Sequence, residues 1–149
     1  MITAALVYAL IAVESGGDDY AVGDHGAAVG CLQIHEAVVR DVNQRLRIHH
    51  LLFTNAERLD RAQSIKICVF YLNHYATESR LGHTPADEDY ARIWNGGPNG
   101  YKNPRTCGYW NRVKTHLTAK LPTIPPTRAF STALALSAGW FLSPTPSSR

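Results

Sequence analysis

Residues 4–13, Ala-Ala-Leu-Val-Tyr-Ala-Leu-Ile-Ala-Val, form an apolar run that stops at Glu14-Ser15-Gly16-Gly17. As a helix this run has no polar stripe beyond Tyr8, so it belongs at the centre of a fold, covered nearly all round. Gly16 and Gly17 supply a natural helix stop. Glu14 is then the first charge met at the end of a core helix, resting on Ile11 and Leu10 three and four residues back. Apolar surroundings and the negative end of the helix dipole both disfavour its ionisation, and no Lys or Arg precedes Arg40 to offset them. A carboxyl kept protonated near neutral pH is what a general acid requires. The plainer reading is a solvated helix terminus, and only the remaining motifs can decide between the two.

The chain has 149 residues, 45% of them hydrophobic and 18% charged, which suits one soluble globular domain with a real core. A net charge of +3 is compatible with an anionic polymer as partner. It is too weak to argue nucleic-acid binding, and no Lys/Arg-rich run exists. Cys31, Cys68 and Cys107 are odd in number and lack a CxxC, so one disulfide is conceivable but no framework is implied. The seven histidines show neither HExxH nor Cys/His metal spacing, so no metal and no cofactor are expected.

The apolar opening lacks the basic flank of a signal peptide, and cleavage after it would remove or expose Glu14; it is read as a core helix. Gly16 to Gly30 holds five glycines among Asp18, Asp19 and Asp24, which is loop chemistry with room for a short hairpin. Val38, Val39, Val42 and Leu46 predict an amphipathic helix over 35–47. The capping box Thr54-Asn55-Ala56-Glu57 predicts a long helix to about Ala76 with Ile65, Val69 and Leu72 on one side. Thr84-Pro85-Ala86-Asp87 predicts another helix, with proline at its first position and an end near Trp94-Asn95. A last helix is expected over 105–120, packed through Tyr109, Trp110, Val113 and Leu117. Beyond it, Leu121 to Pro126 breaks any helix. The apolar segment 129–142 is too short for the roughly 17–25 residues of a membrane span, so an interfacial, docking or disordered tail is expected there. The fold class is mainly α (α+β), with a small β element after the first helix, a domain over 1–120 and a tail over 121–149.

Three separated motifs now stand in order: Glu14-Ser15-Gly16-Gly17, Gly30-Cys31-Leu32-Gln33-Ile34 and Ala91-Arg92-Ile93-Trp94-Asn95-Gly96-Gly97. Together they resemble the Glu-Ser, Gly-Leu-Met-Gln and Ala-Tyr-Asn signatures of the soluble lytic transglycosylase domain, of the lysozyme-like superfamily, over residues 3–118. Cys31-Leu32 departs from the family's Leu-Met, a swap between buried apolar groups. Trp94 departs from the family's Tyr, whose hydroxyl helps to position the acid; an indole N–H donates but cannot accept.

The resemblance implies cleavage of the β-1,4 bond between N-acetylmuramic acid and N-acetylglucosamine in peptidoglycan, at the cell wall, by a monomer. Glu14 would protonate the glycosidic oxygen and then accept the proton of the muramic 6-hydroxyl, giving a 1,6-anhydro end. Gln33 and Asn95 would bind sugar amide and hydroxyl groups, with Ile34 and Trp94 beside them. Ser15 would orient Glu14 or the acetamido group. Tyr101 and Tyr109 are candidate stacking faces, with core packing an equal option for Tyr109. Gly23-Asp24-His25-Gly26 is similar to the goose-type lysozyme loop, so a hydrolase with Asp24 as the second carboxylate is the runner-up. Inversion would place Asp24 roughly 6.5–9.5 Å from Glu14, against the plain alternative of a turn-forming Asp. A non-catalytic glycan-binding module is the third reading. No Gly-x-Ser-x-Gly occurs, and Cys31 lacks an evident base, which disfavours Ser and Cys nucleophiles.

Overall fold

The computed structural model describes residues 1–46 and 52–118. The expected tail and linker over 121–149 lie outside the described residues. The apolar run forms α1 (Ala4–Ser15), opened by the Thr3 hydroxyl accepting the Leu6 N–H at 3.1 Å and closed by Gly16 at φ 65°. Leu6, Val7, Ala9, Leu10 and Ile11 are all buried, whereas Ala5, Tyr8, Ala12 and Ser15 form a half-buried stripe along one side, so the helix is covered less completely than its all-apolar sequence predicts. Fully burying each Leu or Ile side chain contributes about 1.5–3 kcal/mol.

After α1 come three two-residue strands, β1 (Val22–Gly23), β2 (Ala28–Val29) and β3 (Ile34–His35). They pair antiparallel in the order β1-β2-β3, with Val22 opposite Val29 and Val29 opposite Ile34. Then come α2 (Glu36–Leu46), α3 (Arg61–Tyr75), α4 (Glu78–Leu81), α5 (Asp87–Gly96) and α6 (Cys107–Thr118). This is the mainly helical, lysozyme-like α+β architecture expected from the sequence. The core joins Leu6 and Leu10 of α1, Leu32 and Ile34 of the sheet region, Ile65 and Leu72 of α3, Ile93 of α5 and Val113 of α6.

Two helix starts differ from expectation. The Glu57 carboxylate does reach back to the Thr54 N–H and hydroxyl, but this box opens a 3-10 turn over Asn55–Leu59. Asp60 then resets the chain in extended backbone and caps α3 itself, accepting the Gln63 N–H at 2.9 Å. Pro85 precedes the cap of α5 instead of opening the helix. Asp89 supplies the cap from inside the first turn, accepting the Ala86 N–H at 2.9 Å while contacting His83 Nε2 at 2.9 Å. The short α4 had no sequence signal of its own. Cys31 and Cys68 are buried free thiols and Cys107 is an exposed one.

The glycine-rich loop is fastened on two sides. Arg61 pairs with Asp19 at 2.9 Å and donates to the Gly17 carbonyl at 2.5 Å. Arg58 donates through Nη1 to the carbonyls of Ile34 and Ala27 at 3.0 and 3.3 Å. Gly30, at φ +80°, lies so close beneath the Arg58 carbonyl that a Cβ would overlap its oxygen. Left-handed backbone and this approach both demand glycine. Gly30→Ala is expected to lower stability by at least about 2 kcal/mol, read as a lower midpoint in urea unfolding at unchanged slope. An unchanged midpoint would show that the loop does not depend on this approach.

Candidate active site

Glu14 leaves the C-terminal end of α1 beside an open cavity of about 240 Å³ lined by Glu14, Asp24, Ala28, Gln33, Ile34, His35, Val38, Trp94 and Asn95. The three motifs, separated by up to 80 residues of sequence, therefore converge on one wall system. α1 delivers the acid, the sheet loop delivers Asp24, Gln33 and Ile34, and the end of α5 delivers Trp94 and Asn95. Arg92 holds that end of α5 to the segment before α6, donating to the Thr106 hydroxyl at 3.0 Å and the Asn103 carbonyl at 3.3 Å.

Burial raises the Glu14 carboxyl above the usual carboxylate range, and nearby Asp24 adds to this. Hydrogen bonds from the Tyr109 hydroxyl and the Trp94 indole oppose the shift, as does the Arg112 guanidinium, but burial dominates. Tyr109 donates to Glu14 Oε1 at 2.6 Å from α6, 95 residues away. With 4% of its surface exposed, Tyr109 is a buried partner of the acid and not a sugar-stacking face. Its own hydroxyl is held far above the ordinary phenol range by burial and by Glu14, so it stays a donor at physiological pH. The hydroxyl absent at Trp94 thus reaches the acid from Tyr109.

Backbone strain gathers at the same place. Among the described residues, the non-glycine positions with positive φ are Asp24 at 47°, His25 at 55° and Gln33 at 48°. Asp24 and Gln33 both line the cavity, and such backbone costs of order 1–3 kcal/mol each unless surrounding contacts hold it. For Gln33 those contacts are visible: Nε2 donates to the carbonyls of Ala21 and Gly30 at 3.1 and 3.0 Å. Its amide nitrogen is therefore committed to the loop, leaving Oε1 packed at Gly23, where a side chain would collide with it. Asp24 Oδ2 contacts His35 Nε2 at 2.9 Å, and 69% of the Asp24 side chain is exposed.

Two expected site residues lie elsewhere. The Ser15 hydroxyl donates to the Cys31 carbonyl at 2.9 Å and accepts the Gly17 N–H at 3.1 Å, so it ties the end of α1 to the sheet loop and is not part of the cavity lining. Tyr101 donates to the Arg80 carbonyl at 3.0 Å and likewise does not line the cavity. His35 and Val38 line it without having been singled out in sequence, although both come soon after the Gln33-Ile34 motif.

A small sheet beside a buried acid at the end of a central helix defines a lysozyme-like protein. The family model described as transglycosylase SLT domain matches residues 1–88, more than half of the chain, and the chain belongs to that family. The match spans Glu14, Asp24 and Gln33 but stops before Trp94, Asn95 and Tyr109. Over 35 residues the chain is 51% identical to Lysozyme 1 of Crassostrea virginica, covering 24% of this chain and 19% of that relative. Over 44 residues it is 46% identical to Lysozyme of Ostrea edulis, covering 30% of this chain and 31% of that relative. The chain thus spans less than a third of the length of these curated relatives. A chain of the crystal structure of Aeromonas hydrophila PliI in complex with Meretrix lusoria lysozyme matches with a TM-score of 0.62 at 27% identity, over 76% of this chain and 89% of that one.

The Tyr109 bond lowers the Glu14 pKa, so Tyr109→Phe is expected to raise it further, measured by carbon-13 NMR titration of the Glu14 carboxyl; an unchanged or lower value would refute the assigned balance. Stability carries the same sign. Because the folded pKa of Glu14 lies above its unfolded value, its contribution is fully present below the unfolded pKa of 4.5 and is lost as pH rises through the folded pKa. Glu14→Gln should therefore gain thermal stability relative to wild type as pH rises from 4 to 8, and a constant difference in melting temperature would contradict this.

Proposed function

We propose that this chain is a muramidase that cleaves the β-1,4 bond between N-acetylmuramic acid and N-acetylglucosamine of peptidoglycan, with Glu14 as general acid. The observation that supports this most directly is a carboxyl of raised pKa, hydrogen-bonded by Tyr109 and with the Trp94 indole beside it, on the wall of a cavity that also presents Asp24. Oε1 is engaged by Tyr109, so Oε2 is the oxygen that offers its proton to the glycosidic oxygen. As the bond breaks, Glu14 becomes the anion that Tyr109, Trp94 and Arg112 are arranged to stabilise. The same bonds that hold the acid thus grow stronger along the reaction. Asn95, exposed on the cavity lip, is the polar group for sugar amides or hydroxyls. The Gln33 amide nitrogen keeps the loop in shape, and only its carbonyl remains for substrate.

Two fates of the muramic centre are open after this first step. Asp24 on the same cavity favours hydrolysis, since a second carboxylate can activate water or stabilise the positive ring; the oyster relatives are named lysozymes. The transglycosylase family match favours the other route, in which ionised Glu14 takes the proton of the muramic 6-hydroxyl and the ring closes to an anhydro end. Peptidoglycan strands are the proposed partner in either case, and the cell wall is the proposed place of action.

Digestion of purified peptidoglycan, with mass analysis of the products, separates these routes. Reducing muramic ends, lost in Asp24→Asn, are expected for hydrolysis. Anhydro ends that survive Asp24→Asn would establish transglycosylation. In both cases Glu14→Gln should lower kcat by about 10²–10⁴-fold. Full activity of that variant, or no products from folded wild type, would overturn the catalytic reading.

A further inference from the structure

Beside the acid cavity, Asp41, Arg45, Tyr75 and Arg80 form a second polar cluster. Tyr75 donates to Asp41 Oδ2 at 2.5 Å and accepts an N–H of Arg45 Nη2 at 3.3 Å. Arg45 also pairs with Asp41 at 3.4 Å. The guanidinium carbons of Arg45 and Arg80 lie 5.9 and 5.4 Å from the Tyr75 ring centroid. Arg80 is set in place by the carbonyls of Tyr75 and Pro98, at 3.1 and 3.0 Å. Among the described residues it forms no ion pair. One carboxylate therefore faces two exposed guanidiniums. His74, edge-on to Tyr75 at 4.7 Å, has its pKa lowered by burial and then by Arg45 and Arg80 against the pull of Asp41, so it adds no cation of its own at neutral pH.

Two walls lead from the cavity to this cluster. On α2, Val38 lines the cavity, and Asp41 and Arg45 come three and seven residues later on the same face. Opposite, Trp94 meets Tyr71 edge-on at 5.8 Å, and Tyr71 meets Tyr75 at 4.8 Å. A polymer bound across Glu14 and Trp94 would present its side groups to these guanidiniums. In a peptide-bearing strand each muramic lactyl carboxyl is tied up as the amide that carries the stem, so the free carboxylates are those of the stem peptides. Guanidinium is the side chain best matched to a carboxylate, through paired N–H donors.

We propose that Arg45 and Arg80 form an anion-binding station for a carboxylate of the peptide stem, so that strands bearing peptides are bound in preference to bare strands. This rests on the peptidoglycan reading above. The Tyr75 and Pro98 carbonyls engage Arg80, and Asp41 with the Tyr75 hydroxyl engages Arg45, but each guanidinium has five N–H donors, more than these partners use.

The test is calorimetric titration of the full chain, carrying Glu14→Gln to prevent turnover. The ligands are a peptidoglycan tetrasaccharide with its stem peptides and the same tetrasaccharide stripped of them by an amidase, with the lactyl carboxyls so exposed capped as methylamides. Both are prepared from sacculi free of teichoic phosphate. The peptide-bearing ligand should bind roughly fivefold or more tightly. Adding Arg45→Glu should close that gap, and Arg45→Lys should keep most of it. Arg45→Gln, which places no second carboxylate beside Asp41, serves if the charge reversal fails to fold and should also narrow the gap. Equal binding of the two ligands before any Arg45 change, or a parallel loss for both ligands in the Arg45 variants, overturns the station. An affinity gap in a protein whose wild type cleaves neither substrate overturns the catalytic reading alone.

Discussion

Everything chemically distinctive in this protein depends on one hydrogen bond across the core, from the Tyr109 hydroxyl to Glu14 Oε1. Burying a carboxyl at the end of an apolar helix is unfavourable for the charged form. The fold does not relieve this with a full ion pair; it supplies neutral donors, Tyr109 and Trp94, with Arg112 at longer range. That balance leaves the acid protonated more often than a surface glutamate while giving its anion somewhere to go. A Lys or Arg in direct contact would have pinned Glu14 as a carboxylate and removed its use as an acid.

The rest of the structure serves to hold three segments against that acid. α1 packs chiefly on α6, which brings Tyr109. Arg92 and Thr106 lock the end of α5 to the turn before α6, which fixes Trp94. Arg58 and Arg61, at the entrance to α3, clasp the glycine loop whose strained residues Asp24 and Gln33 face the cavity. Strain at these two positions is sustained by contacts that a free loop would not have. The site is thus tied through these contacts to the helices behind it, which suits chemistry that needs a proton placed within hydrogen-bonding reach.

The motifs differed in how they translated into geometry. Gln33 was legible as a site residue from its Gly-Cys-Leu-Gln-Ile setting, and it does line the cavity, yet its amide nitrogen braces the Ala21 and Gly30 carbonyls. Ser15 is adjacent to Glu14 in sequence but, one residue further round the helix, turns to the Cys31 carbonyl. Sequence adjacency to an acid says nothing about facing the same way, because successive helix residues diverge by about 100°. The helix starts at Thr54 and Pro85 were misplaced by a few residues because Asp60 and Asp89 made better caps once the surrounding chain was folded.

By itself the sequence determined the central buried helix, its terminal acid, the glycine loop and the helical character of the chain beyond that loop, because these rest on apolar periodicity and local backbone preference. The three motifs also contain most of the cavity lining. Only the tertiary structure decided that Tyr109 would reach Glu14, that Tyr101 would not enter the cavity, and that His35 would contact Asp24. It likewise gathered Arg45 and Arg80 around one tyrosine ring. Each of these depends on side chains meeting across different elements, and that is set by how helices dock, which no local pattern of residues encodes.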